Sequence, residues 1–267
     1  MTSETWELAG GITAPPRNRQ SHRPVPIAAM AISFVLIAGL VGWQIDRGDP
    51  IDTAVGEQRS VKLADGSVVT LNTATELSTH FSADRRLVRL DEGEASFDVA
   101  KDSLRPFIVE AGDARVVAVG TIFDVRYMQG VLAVTLAEGR VRVVDTQSAE
   151  GNAPAEVDMK PGQRLVRLTT NAPARVAAVN LQNARAWRSG QVVFADTPLA
   201  AAVREMNRYT DSPIRIADDR IGSLRISGSF RATDTAQFAR AVADIYALRI
   251  DGGNNAMILT EARPGRP

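Results

Sequence analysis

The segment Val61–Tyr127 decides the fold of this chain, and it reads VKLADGSVVTLNTATELSTHFSADRRLVRLDEGEASFDVAKDSLRPFIVEAGDARVVAVGTIFDVRY. It divides into short runs that are apolar or that alternate apolar and polar residues. Turn signals such as Asp65-Gly66 and Gly112-Asp113 separate them. Strand-length runs between such signals predict β-strands joined by tight turns. The predicted strands are Val68–Leu71, Arg86–Leu90, Ala95–Val99, Phe107–Val109, Val116–Val119 and Ile122–Val125.

One phrase recurs along this part of the chain. It occurs at Leu63–Gly66, Leu90–Gly93 and Leu136–Gly139, where a leucine is followed two residues later by an acid–glycine pair. In each copy a strand is expected to end at the leucine, the acid–glycine pair to turn the chain, and an alternating run to follow. An irregular repeat of one β-turn-β unit predicts an all-β domain of stacked hairpins with a solenoid-like form.

Composition limits the function classes. The chain has 267 residues, room for about two domains. It balances 31 basic against 31 acidic residues, so no strong field would attract nucleic acid. It contains no cysteine, which excludes disulfides, zinc–thiolate sites and cysteine nucleophiles.

An uncharged segment, Val25–Trp43, predicts a transmembrane helix over residues 25–45, because it is long enough to cross the ~30 Å hydrocarbon core. Arginines precede it and acids predominate after it. The positive-inside rule therefore places residues 1–24 in the cytoplasm and the residues after about 46 on the other side of the membrane. The alternative is a cleaved signal peptide. The residues that end the segment, Gly42-Trp43-Gln44, make a poor cleavage site and favour a retained anchor.

The sequence pattern changes after Trp187. A strand is expected at Gln191–Phe194, followed by a helix with Thr197 as its N-cap, and the second helix is expected at Thr235–Tyr246 with a cap at Thr233. Two strand-helix-strand units this short predict a small α+β domain. The predicted fold class is thus a single-pass membrane protein with an all-β periplasmic domain over 56–168 and an α+β domain over 187–262.

The chain offers poor material for catalysis. Its two histidines, His22 and His80, would lie on opposite sides of the membrane and could not share a metal or a proton relay. No phosphate-binding glycine loop and no nucleophile elbow is present. We therefore predict no catalytic residue, no cofactor and no metal site, and a protein that is not an enzyme.

The β-rich segment resembles the FecR family of transmembrane regulators. The resemblance is carried in order by LADGS, LNT, EGEASFDVAKD, RPFIVEAG and VGTIFDVR, then by LAEGRVRV. The C-terminal half resembles the STN module found in secretins and TonB-dependent receptors. That second resemblance is carried by WRSGQVVF, DTPL, NRY and RISGSFRA.

The resemblance to FecR implies an anti-sigma regulator of cell-surface signalling in the inner membrane. Its periplasmic partner would be the signalling domain of a TonB-dependent outer-membrane receptor, and its cytoplasmic partner an ECF sigma factor, usually for iron–siderophore uptake. The sequence names neither the ligand nor the receptor. The alternative is a membrane-tethered periplasmic β-rich binding module without a role in transcription. An upstream sigma-factor gene and a downstream receptor gene would favour signalling.

The resemblance also points to two places in the chain. Some family members are thought to cleave themselves at a Gly-Thr bond that corresponds to Gly120-Thr121. The alternative, which we favour, is a β-bulge between the strands on either side of this bond. Residues 1–24 are a stub in which Trp6 and Leu8 resemble the end of the family's sigma-binding domain. Either the true start codon lies upstream, which we favour, or the chain has lost that domain and keeps only the sensor.

Overall fold

The structure is a computed structural model that describes residues 49–146, 155–168, 173–253 and 256–262. Its elements follow in chain order. The first thirteen strands are β1 Asp49–Asp52, β2 Arg59–Lys62, β3 Val68–Leu71, β4 Glu76–Phe81, β5 Arg86–Asp98, β6 Phe107–Ala111, β7 Ala114–Ala118, β8 Ile122–Met128, β9 Val131–Glu138, β10 Val141–Asp145, β11 Glu156–Met159, β12 Gln163–Leu168 and β13 Arg175–Ala178. We call this part the β domain.

The second part, the C-terminal domain, mixes helices and strands. Its elements are α1 Leu181–Ala184, a 3₁₀ turn Ala186–Ser189, β14 Gln191–Pro198, α2 Leu199–Met206, a 3₁₀ turn Asn207–Tyr209, β15 Ile214–Ile216, α3 Asp219–Ser223, β16 Arg225–Arg231, α4 Thr235–Tyr246, β17 Leu248–Gly253 and β18 Ala256–Glu261.

The β domain consists of two sheets that share the long strand β5. The N-terminal half of β5 lies between β4 and β6, and its C-terminal half lies between β3 and β8. The first sheet has the order β1-β4-β5-β6-β7-β10-β11, and the second has β2-β3-β5-β8-β9-β12-β13. The β5–β6 pair is parallel, whereas the other pairs in this domain are antiparallel.

A bend at Gly93 allows β5 to belong to both sheets. Gly93 has φ +104°, and a Cβ there would lie 2.5 Å from the Cα of Thr75. The register against β4 also shifts beside Leu90. The predicted turn at Leu90–Gly93 is therefore a bend within one continuous strand, because glycine admits both the conformation and the close backbone contact.

The solenoid-like prediction is wrong. Leu63–Gly66 is a hairpin turn between β2 and β3, but Leu136–Gly139 carries the chain from β9 in the second sheet to β10 in the first. Successive hairpins therefore alternate between two sheets and do not stack in chain order.

Apolar side chains from both sheets form one core. The ring of Phe97, on the C-terminal half of β5, lies 5.8 Å from that of Phe107 and 5.2 Å from that of Phe123. All three are fully buried. The shared strand thus places one aromatic ring in contact with β6 of the first sheet and β8 of the second, which joins the sheets through their interior.

The structure corrects the predicted fold class. Across the described residues it is mostly β-sheet, and no helix there is both long and apolar enough to cross a membrane. The longest described helix, Thr235–Tyr246, has 12 residues. A single-pass membrane architecture is therefore not supported. The predicted span over residues 25–45 lies outside the described residues.

The C-terminal domain packs its helices on small sheets around Phe194, Phe230 and Phe238. Two predicted caps are wrong. Strand β14 continues through Thr197 to Pro198 after an irregularity at Asp196, which has φ +47°, so the threonine pairs with β16 and does not cap a helix. Asp234 caps α4 by accepting a hydrogen bond from the Gln237 N–H, in place of Thr233.

Candidate functional site

A buried polar network joins the β domain to the C-terminal domain, and we call it the junction. Its members are Asn72, Glu94, Arg126, Glu205, Arg208 and Tyr209. At its centre Arg208 Nη1 donates to Glu94 Oε2 at 2.9 Å and to Glu205 Oε1 at 2.6 Å. The side chains of Arg208 and Glu94 are only 6% and 8% exposed. The central ion pair is therefore almost completely removed from water.

Strands β3, β5 and β8 each position one polar side chain of the junction. Glu94 follows the bend at Gly93 in β5, and Asn72 directly follows β3. Asn72 Nδ2 donates to Glu94 Oε2 at 2.8 Å and to the Tyr209 hydroxyl at 2.9 Å. Arg126, on β8, pairs with Glu205 at 2.8 Å. The bend in the shared strand thus positions the carboxylate that binds the other domain.

Burial and the neighbouring carboxylates shift the pKa values of Arg208 and Tyr209. Burial alone would lower the pKa of Arg208, but the carboxylates of Glu94 and Glu205 outweigh it and raise that pKa above its ordinary value. Burial, with the same two carboxylates nearby, raises the pKa of Tyr209 to about 12. At neutral pH the guanidinium is charged and the phenol is neutral. Arg208 and Tyr209 therefore do not change charge near neutral pH.

Glu205 is held in its ionised form. Burial opposes ionisation, but Arg208 and Arg126 outweigh it and lower the pKa of Glu205 below its ordinary value. Glu205, on helix α2, thus forms ion pairs with Arg208 in the turn that follows the helix and with Arg126 on strand β8 of the other domain.

A second polar contact lies beside the junction. Arg185 Nε donates to Asp124 Oδ2 at 3.1 Å, and its Nη2 donates to the Ser96 hydroxyl at 3.1 Å. Burial raises the pKa of Asp124, although Arg185 opposes the shift. Nearby, Gln58 Nε2 donates to the backbone oxygen of Trp187 at 2.9 Å. These contacts connect the start of the C-terminal domain to strands β5 and β8 and to the residue that precedes β2.

Sequence reasoning did not identify the junction as a site, although its residues other than Glu205 lie in the motifs that carried the family resemblance. Asn72 lies in LNT, Glu94 in EGEASFDVAKD, Arg126 in VGTIFDVR, and Arg208 with Tyr209 in NRY. The sequence feature that could have indicated the junction is a charged residue inside an otherwise apolar strand, because such a residue needs a buried partner. The sequence does not show which partner it finds.

The predicted Gly120-Thr121 bond lies where the chain passes from β7 in the first sheet to β8 in the second. Because β7 and β8 do not pair, the expected β-bulge between them is wrong. Gly120 has φ +110°, and a Cβ there would lie 2.6 Å from Lys101 Cγ. Thr121 is 5% exposed, and its hydroxyl has no hydrogen-bond partner among the described residues.

The other predicted positions fall elsewhere. Trp6 and Leu8 lie outside the described residues, as does His22. His80 lies in β4. Within the described part of the chain, no group of three or more histidine, aspartate or glutamate side chains could hold a metal ion.

Comparison with known proteins identifies the β domain. Residues 49–142 match the family model described as FecR protein. The chain carries a FecR domain. This confirms the FecR relationship that the motifs indicated. The match ends at Arg142 in β10, and strands β11, β12 and β13 lie beyond the matched residues.

Two solved structures are similar to the chain beyond the FecR domain. Both are crystal structures of a candidate anti-sigma factor from Parabacteroides distasonis. One is 25% identical with a TM-score of 0.68, and the other is 26% identical with a TM-score of 0.67. Each alignment covers 80% of this chain and 99% of the chain in the solved structure. No curated protein is similar enough to count as a match. The STN-like assignment of the C-terminal domain stays a prediction.

Proposed function

We propose that this protein is an anti-sigma-type signal transducer. The FecR domain assigns it to a regulatory kind of protein, not to an enzyme family. The structural similarity to a candidate anti-sigma factor extends over 80% of the chain, and therefore beyond the FecR domain. The single observation that carries the proposal is that this similarity takes in the FecR domain together with part of the chain outside it.

The junction supplies a physical route for a signal. A ligand or partner that moves α2 must also move Glu205 and Arg208, which are bonded to Arg126 and Glu94 in the FecR domain. Removing one member of a buried ion pair leaves its partner charged and unpaired, which costs about 3–5 kcal/mol. Rearrangement of one domain is therefore energetically coupled to the other.

The partners are proposed from the family resemblance. The C-terminal domain would receive the signalling domain of a TonB-dependent outer-membrane receptor in the periplasm, and the regulated protein would be an ECF sigma factor, for iron–siderophore uptake. Trp6 and Leu8 remain the predicted sigma contacts. The competing function is a periplasmic binding module that has no role in transcription.

A transcription experiment separates the two functions. The gene is deleted, and the strain is complemented with the wild-type chain, with Arg208→Gln or with Arg142→Gln. Arg142 is a matched control, since its pairs with Glu156 and Asp158 are exposed. We expect iron limitation to reveal a set of transcripts that depends on the wild-type chain. Arg142→Gln should restore it and Arg208→Gln should not. A transcriptome that does not respond to the deletion contradicts the regulatory function and favours the binding module.

A second proposal concerns Gly120-Thr121, and the unpartnered hydroxyl of Thr121 favours it. The hydroxyl oxygen would attack the carbonyl carbon of Gly120, the peptide C–N bond would break, and the acyl group would move from nitrogen to oxygen. Water would then hydrolyse the ester, leaving a carboxylate on Gly120 and restoring the hydroxyl of Thr121. The positive φ of Gly120 provides a backbone conformation that other residues resist.

Immunoblots of a chain tagged at both ends test this cleavage. We expect two fragments from the wild-type chain and one full-length band from Thr121→Ala. Thr121→Ser keeps a hydroxyl and should still be cleaved, which distinguishes the chemistry from a packing effect. A single full-length band from the wild-type chain would remove the proposal.

A further inference from the structure

An arginine-rich groove lies next to the junction, between strands β8, β9 and β12 and helix α2. Its volume is about 510 Å³. Its charged lining consists of Arg126, Arg164, Arg204, Arg208 and Glu205. We call it the arginine groove. It is large enough for a compact organic molecule.

The groove carries an excess of positive charge. Arg126 and Arg208 both pair with Glu205, the one carboxylate in its lining. Arg164 and Arg204 have no ion-pair partner among the described residues. Arg208 also pairs with Glu94 behind the groove, so four guanidinium groups face two carboxylates. The remaining positive charge attracts an anion, and the effect is strong where the walls are protein and water is partly excluded.

Two arginines that line the groove have hydrogen-bond donors without acceptors. Arg208 Nε and Nη2, and Arg164 Nε, are buried and have no partner within the described parts of the chain. Buried polar groups in folded proteins are normally paired, so each of these donors calls for an explanation. A planar guanidinium fork matches the oxygens of a carboxylate or phosphate, which can accept two parallel hydrogen bonds.

A second cavity of about 440 Å³ shares three lining residues with the groove, Arg126, Arg164 and Glu205. It is also lined by Trp187, whose Nε1 is buried without a partner in the described chain. Arg164 thus lines both cavities, and the lining of each includes a residue with a buried donor that has no acceptor in the described chain.

The remaining lining is mostly apolar, and its two polar members are Gln129 and Asn207. Met128, Val131, Ala133 and Val166 lie along the strands, and Ala201 lies on α2. The side chain of Val166 is exposed although it is apolar. A ligand that covers these residues would bury apolar surface, which favours binding, while its charged end reaches the arginines.

We infer that the arginine groove binds an organic anion, in which a carboxylate or phosphate group is attached to a compact apolar body. The anionic group lies against Arg164 and Arg208, and the apolar body lies against Val131 and Val166. This inference does not depend on the proposed function, because the groove is complete within the described residues. If both hold, the ligand would also stabilise the arrangement of the two domains, since it binds residues from each.

Calorimetric titration of the full chain tests the inference with phenyl phosphate and benzoate as probes. Benzyl alcohol is the uncharged control, and inorganic phosphate supplies the anionic group without the apolar body. We expect the two aromatic anions to bind, their affinity to fall as salt increases, and each control to bind at least about tenfold more weakly, or 1.4 kcal/mol.

Variants locate the site. Arg164→Gln should weaken the binding of phenyl phosphate at least about tenfold. Arg204→Gln changes an exposed residue of the groove and is a second variant that keeps the fold. Arg240→Gln removes the same charge from an exposed position on α4 outside the groove and should leave the affinity unchanged. The inference is overturned if neither aromatic anion binds, if benzyl alcohol binds equally well, or if the three variants and the wild-type chain bind alike.

Discussion

The interior of the β domain and the junction are both shielded from water, yet they are built from opposite kinds of side chain. Phe97, Phe107 and Phe123 fill the interior and are fully buried. The centre of the junction is a guanidinium between two carboxylates, with Arg208 only 6% exposed. Strand β5 contributes to both, because it supplies Phe97 to the core and Glu94 to the junction.

The difference shows how stability and geometry are divided in this molecule. Apolar burial is non-directional and stabilises any well-packed arrangement. A buried ion pair adds little net stability relative to an apolar contact, but it is costly to break and satisfied only in one geometry. We therefore expect the core to set whether the β domain folds, and the junction to set how the C-terminal domain is held against it.

The largest effect should come from the core. Phe97→Ala removes the ring that touches both sheets and leaves a cavity, so we expect a loss of about 4 kcal/mol in the free energy of unfolding. Urea unfolding followed by circular dichroism measures it. Val119→Ala, at a position 52% exposed, is the control and should change stability by less than about 0.5 kcal/mol. Equal effects of the two substitutions would contradict the proposed core.

Breaking the junction should cost slightly less. Arg208→Met leaves Glu94 and Glu205 without their shared cation, and we expect a loss of about 3 kcal/mol. Adding Glu94→Gln removes one of the stranded charges, so the double variant should recover part of that loss. If the two substitutions add without any coupling, these residues do not interact energetically and the junction is not a unit.

The bend that connects core and junction gives a smaller, paired prediction. Gly93→Ala adds a Cβ 2.5 Å from the Thr75 Cα at φ +104°, whereas Gly66→Ala, at φ +87°, meets no atom within 4 Å. Gly66→Ala should cost about 1 kcal/mol from backbone strain alone. Gly93→Ala should cost at least about 2 kcal/mol. Similar losses, measured by thermal unfolding, would show that β5 accommodates a side chain at the bend.

The smallest effect is a pH dependence. The pKa of Glu205 lies below 4.5 in the folded protein, because Arg208 and Arg126 outweigh burial. Its contribution is therefore complete above pH 4.5 and is lost as the pH falls through the folded value. Glu205→Gln should flatten this acid loss of stability in unfolding titrations. If the variant loses stability at acid pH as the wild-type chain does, Glu205 does not cause that loss.

Asp124 should give the opposite sign. Its pKa is raised above 3.8 by burial, so its contribution is complete below pH 3.8 and is lost as the pH rises through the folded value. Asp124→Asn removes that loss but also weakens the contact with Arg185. The two carboxylates therefore differ in sign. The arginines of the junction stabilise Glu205 as an anion, whereas burial disfavours the anionic form of Asp124.

The sequence by itself determined the local elements. Alternating apolar residues placed strands near Val68–Leu71, Phe107–Val109 and Ile122–Val125, because a half-buried strand requires that period. Apolar residues at helical spacing predicted the helix Thr235–Tyr246, and the structure has it at these bounds. The FecR motifs were also present in the sequence, and the family comparison confirms them. These properties depend on neighbours within a few residues.

Only the tertiary structure decided what depends on distant residues. Leu63–Gly66 and Leu90–Gly93 have the same form, yet the first is a turn and the second a bend inside β5, because Thr75 packs against Gly93. The pairing of Glu94 with Arg208 spans 114 positions in sequence, and no local pattern selects that partner. The arginine groove likewise exists only where β8, β9 and β12 meet α2. Local sequence fixes backbone preference, whereas partner choice is fixed when the whole chain packs.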